Sequence, residues 1–188
     1  MEQATAAANA AVGRASGGLF MSLFGGVWAG YGADVRWGPP GWVFGGLVAV
    51  LLAAGCLWLR RHALPHAVAT DGTAEAAMRR GFRRVNVVQW IAIFAVAQGL
   101  IALHRQAWVL PAVMATVGLH FLPLARLFRY PAHAWTGLAL LAWSLAYPWL
   151  GGVAEPQSFC GPLGAGLILW AAAARVLWSQ RGWLAGRH

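Results

Sequence analysis

The chain has 188 residues, of which 60% are hydrophobic and only 10% charged. Soluble domains usually carry about 25% charged residues, so this composition excludes an ordinary soluble globule. The net charge of +9 comes from 14 basic residues, all arginine; most of them lie between apolar blocks, which points to the inner membrane surface and not to nucleic acid.

Residues 1–16 form an Ala-rich tail with one cation, Arg14. The first apolar block, 17–34, reads as a retained helix, because its flank lacks the charge and cleavage site of a signal peptide. Gly18, Ser22, Gly26 and Gly30 form a ladder at intervals of four. Such stripes let helices approach closely. The ladder is expected to meet a partner protein or a second copy, or else to pack internally. The second block is 41–60. Cys56 lies inside it and Cys160 is placed at the opposite face, so no disulfide between them is expected.

The 61–85 connection is long and basic. Pro65 predicts an extended or turned Ala63–His66. Asp71 or Thr73 can cap a helix starting near Ala74. There Met78 and Phe82 lie beside Arg79, Arg80, Arg83 and Arg84, which predicts an amphipathic collar at the inner surface. With Arg126, these arginines are expected to contact anionic lipid headgroups. The positive-inside rule produces such a cluster without a specific site.

Four further blocks follow at 86–104, 107–128, 133–152 and 161–180. About 20 apolar residues cross the hydrocarbon core, and backbone groups in lipid must be satisfied internally. The expected fold is therefore all-α: one polytopic membrane domain over 1–188, with six transmembrane helices as three helical hairpins. Arg36 and Arg105 stand in two of the short connections. Arg60, Arg61, the collar, Arg126, Arg129, Arg181 and Arg187 fall on the other side. The arginine bias places the chain in a bacterial inner membrane with both termini cytoplasmic. Asp34 and Glu155 then face outward.

The fourth block ends in Val117-Gly-Leu-His-Phe-Leu-Pro-Leu-Ala-Arg-Leu-Phe128. Arg126 is near the helix end, where it can snorkel to the headgroups. His120 lies about 4 Å from the block's centre at 1.5 Å per residue. It shares a face with the small residues Ala112 and Thr116, so that face is expected to meet other helices. Pro123 frees the carbonyl of Leu119, and a polar cavity near His120 is expected. By depth, Gln89, Gln98 and Ser144 are its first companions, with Tyr147 further out. Arg175 is a further intramembrane candidate. Ionisable residues at such depth are functional by default, and a neutral histidine bonding across helices is the structural alternative.

No Asp or Glu falls in the interior of a block, and no phosphate-loop or nucleophile-elbow pattern appears. His62 and His66 lack zinc spacing. No enzyme, cofactor or metal is expected. The function expected is a small-molecule transport, channel or binding subunit with its cavity at His120. The alternative is a structural or accessory membrane protein acting through helix contacts.

Trp37-Gly-Pro-Pro-Gly-Trp-Val-Phe-Gly45 resembles the start of the second helix in the tryptophan-rich sensory protein (translocator) family. Membership implies five membrane helices and binding of porphyrins or sterols. The likeness covers nine residues; the third block lacks the family's Asn and Trp-Ser pattern, and a sixth block is present. Proline suits a helix start and tryptophan the interface, so the likeness reads as convergent. The Gly118-Leu-His-Phe-Leu-Pro-Leu-Ala-Arg126 core resembles small uncharacterised bacterial multi-pass membrane proteins, which implies a membrane protein and no particular activity.

Overall fold

The computed structural model describes residues 2–67, 72–150 and 158–180. Among these the chain is helical and strand-free, with α1 at Glu2–Trp37, α2 at Pro40–Ala63, α3 at Gly72–Ala102, α4 at Val109–Leu127, α5 at Ala132–Ala146 and α6 at Cys160–Ser179. Single 3-10 turns occupy Leu64–His66, Gln106–Trp108 and Tyr147–Trp149. Four stretches are long and apolar enough to cross a membrane: Pro40–His66, Glu75–Ala102, Gln106–Leu127 and Cys160–Ser179. α1 has the length, but Ala and Gly fill it where Leu and Val would raise its hydropathy. α5 has only 15 residues.

Three boundaries differ from the sequence reading. The tail is helical from Glu2 and continuous with α1. The 61–85 connection is mostly helix, because α2 runs to Ala63 and α3 starts at Gly72. The collar arginines therefore lie in the first half of one unbroken helix, which carries no proline to break it. Pro65 lies in a 3-10 turn, the turned form expected for Ala63–His66. Asp71, Glu155, Arg181, Arg187 and the end of the fifth block at 151–152 lie outside the described residues.

The chain divides into two packing units, Met1–Thr70 with Leu169–His188, and Asp71–Ile168. In the first, α1 and α2 form an antiparallel hairpin. Ala8, Ala11, Ala15, Gly18, Ser22, Gly25, Ala29 and Gly32 are all buried. They repeat every three and four residues, a heptad seam made wholly of small side chains. Opposite lie Gly41, Gly45, Ala49, Cys56, Leu59 and Ala63 of α2. The backbones touch: a β-carbon on Gly45 would lie 2.6 Å from Gly30 Cα, and one on Gly26 would lie 2.5 Å from the Ala49 β-carbon. The Gly18–Gly30 ladder is thus filled by the chain's own α2. Trp170 of α6 adds an indole N–H donated to the Ser22 carbonyl at 3.2 Å.

The Trp37–Gly45 stretch is the corner of this hairpin. Gly38 takes φ +75° and its N–H closes α1 on the Asp34 carbonyl at 2.7 Å. Pro39 and Pro40 then start α2. Trp42 lies over Gly30. Gly38, the two prolines, Gly41, Trp42 and Gly45 thus each have a local geometric reason.

In the second unit α4 packs between α3 and α5. α4 buries Pro111, Met114, Gly118, Phe121 and Leu124. α5 and the turn after it bury His133, Gly137, Leu140, Ser144 and Tyr147. α3 and α4 both end on a non-glycine residue in the left-handed region, His104 at φ 56° and Arg129 at φ 48°. In each case the next N–H reaches back five residues, Arg105 to Leu100 and Tyr130 to Ala125. This Schellman closure satisfies otherwise orphaned carbonyls.

Candidate functional site

Two histidines mark the second unit. His120 projects from α4 toward α3, beside the backbone of Val85. Its Nδ1 is buried and has no partner. Leaving such an atom unsatisfied costs about 1–3 kcal/mol. Native proteins rarely accept that without a reason.

The second histidine, His133, opens the buried stripe of α5. Three rings surround it: Tyr130 at 5.1 Å edge-on, Phe121 at 5.8 Å and Phe128 at 6.0 Å between centroids. Phe121 also meets His120 edge-on at 6.0 Å. Phe128 meets Phe82 of α3 at 6.0 Å. A chain of rings thus runs His120–Phe121–His133–Phe128–Phe82 across three helices. Such edge-on and tilted pairs add about 0.5–1.5 kcal/mol each beyond their buried area. The sequence reading passed over His133, which stood at the edge of a block. Its spacing of four and seven from Gly137 and Leu140 could have revealed it.

The companions assigned by depth separate. Gln89 follows Val85 by one turn of α3, is half-buried, and lies about 6 Å along the helix from the His120 contact. Gln98 is exposed, about 14 Å further on. Arg175 is also exposed, in the first unit's part of α6. Ser144 is buried, but its hydroxyl is donated to the Leu141 carbonyl at 2.7 Å. Tyr147 is buried against Gly161, beside Trp143, whose indole N–H is donated to the Gly161 carbonyl at 3.0 Å. The close approach of Gly118 and Gly137 fixes the α4–α5 register. Counting from it, Ser144 lies about 14 Å along the axes from His120. The sequence reading set the fifth block too late, and so brought Ser144 and Tyr147 too near. Tyr147 lies against Gly161, at the start of α6.

An open groove runs along the α3–α4 seam beside Val85. It is about 580 Å³ and is lined by Gly81, Arg84, Val85, Leu122, Pro123, Arg126 and Leu127. Of the collar arginines, Arg79 pairs with Glu75 at 3.3 Å. Arg80 and Arg83 are exposed on α3. Among the described residues, no three His, Cys, Asp or Glu side chains come together as a metal site.

No protein-family model, no curated protein and no solved structure matches this chain.

Proposed function

We propose that this chain is a small-molecule binding or transport subunit of a bacterial inner membrane, working through His120. Its six helices cross the membrane as three hairpins, with both termini cytoplasmic. The outward apolar surface supports the membrane reading: Leu51 of α2 is 72% exposed and Phe94 of α3 68%. A soluble monomer rarely leaves such surfaces uncovered. The arginine bias supports the orientation. α1, about 54 Å long at 1.5 Å per residue, exceeds the hydrocarbon core, and its first four turns then extend into the cytoplasm.

One observation carries the functional reading: the buried, unpartnered Nδ1 of His120, backed by a ladder of rings. The site suits a small molecule with one hydrogen-bonding group for the imidazole. The alternative, a structural or accessory protein acting through helix contacts, loses its expected partner surface, because α2 fills the Gly18–Gly30 stripe; the rings packed about His133 are what remains in its favour.

Native mass spectrometry on protein extracted with its own lipids tests the reading. A bound small molecule should accompany the wild type and be lost in His120→Phe, while helicity and melting stay unchanged. An empty wild type, or equal occupancy in both, contradicts it. Reporter fusions at Ala67 and His188 should both read cytoplasmic, and a periplasmic signal at either ends the six-span topology.

A further inference from the structure

We infer that the groove between α3 and α4 is a specific anionic phospholipid site, with the phosphate held between Arg84 and Arg126. This inference does not depend on the reading of His120.

The groove has the two chemistries that such a lipid requires. Arg84 comes from α3 and Arg126 from α4, and both line the same space of about 580 Å³. Neither has a carboxylate partner among the described residues, whereas Arg79, one turn earlier on α3, is paired with Glu75. Two guanidinium groups on one groove offer a fork of donors matched to phosphate oxygens. The rest of the lining is apolar: Val85, Leu122, Pro123 and Leu127. That floor suits an acyl chain, and a free phosphate makes no use of it. Gly81 keeps the floor open: a β-carbon there would lie 2.9 Å from Leu127 Cδ1. The sequence sets all of this in place. Gly81, Arg84 and Val85 recur at three and four residues on one face of α3, as do Leu122, Pro123, Arg126 and Leu127 on α4.

General attraction of arginines to an anionic surface is the competing account, and it predicts a similar contribution from each cation, about fivefold per charge. A clamp predicts inequality. Protein is reconstituted in nanodiscs of phosphatidylcholine with a minor fraction of phosphatidylglycerol, and retained phosphatidylglycerol is counted by native mass spectrometry after detergent transfer. Arg84→Gln/Arg126→Gln should lose at least about tenfold more retained lipid than Arg80→Gln/Arg83→Gln, which removes the same charge outside the groove. Equal losses in the two double variants would overturn the site. Gly81→Leu fills the groove without changing charge and should also release the lipid; undiminished retention in a folded Gly81→Leu protein would count against the acyl-chain floor. The arginine pair is exposed, so its removal tests the site even where Gly81→Leu fails to fold. Excess inorganic phosphate should leave the lipid in place. Displacement by phosphate alone would show that the groove recognises the free anion, and the lipid assignment would fall.

Discussion

Gly118 of α4 and Gly137 of α5 face each other backbone to backbone: a β-carbon on Gly137 would lie 2.5 Å from the Gly118 carbonyl oxygen and 2.8 Å from the Phe121 β-carbon. This contact sets the register that brings Phe121 to His133. Gly137→Ala should therefore destabilise by about 1–3 kcal/mol, since backbone atoms must move apart. Gly99→Ala in α3 meets nothing within 4 Å and should be neutral or stabilising by up to about 1 kcal/mol. Melting of the detergent-purified variants separates the two. Equal melting would mean that α4 and α5 do not meet at these glycines.

The α1–α2 seam is open to a covalent test. A β-carbon on Gly18 would lie 3.7 Å from the Cys56 β-carbon, close to the mean spacing in a disulfide, about 3.8 Å. Gly18→Cys should form an intramolecular bridge to Cys56 under mild oxidation, read as a loss of two titratable thiols in a protein of unchanged mass class. Gly13→Cys, which meets nothing within 4 Å, should not. Bridging of both or of neither would contradict the register.

His104 ends α3 at φ 56°, a conformation that costs a residue with a β-carbon about 1 kcal/mol. His104→Gly should relieve that strain, with part of the gain returned to the greater freedom of the unfolded chain. The net expectation is a stabilisation of a few tenths to about 1 kcal/mol, visible as a raised melting temperature. A lowered one would show that the imidazole contributes more than its backbone geometry costs.

His133 packs against rings and makes no side-chain hydrogen bond among the described residues. His133→Leu comes close to the imidazole's volume and should change stability by less than about 1.5 kcal/mol. His133→Ala opens a hole among Phe121, Phe128 and Tyr130 and should cost about 2–5 kcal/mol. If both cost the same, a polar role for the imidazole is indicated.

Much of this architecture is legible in the sequence because its signals are periodic. The ladder Gly18–Ser22–Gly26–Gly30 announces a close helix contact, and the heptad seam that reaches back to Ala8 is the same signal extended. Pro39, Pro40 and Pro65 mark a helix start and a turn. Less visible is whether helices stay continuous: the residues from Thr73 to Ala102 hold amphipathic and apolar stretches with no breaker between them, so two expected elements are one helix. The site is half legible. His120 stands out as the polar residue in an apolar run. Its companions depend on the α4–α5 register, which two glycines set, and depth arithmetic on separate blocks does not contain that contact. His133 was hidden for the same reason: its partners come from three chain segments.

The central claim is that His120 Nδ1 is a ligand-binding atom, and an experimental structure of the protein crystallised from its own lipids tests it most directly. The account predicts non-protein density of a small molecule within hydrogen-bonding reach, about 3.2 Å, of His120 Nδ1. A dry site, with only apolar side chains packed against Nδ1, would contradict it and leave His120 as a strut between α3 and α4.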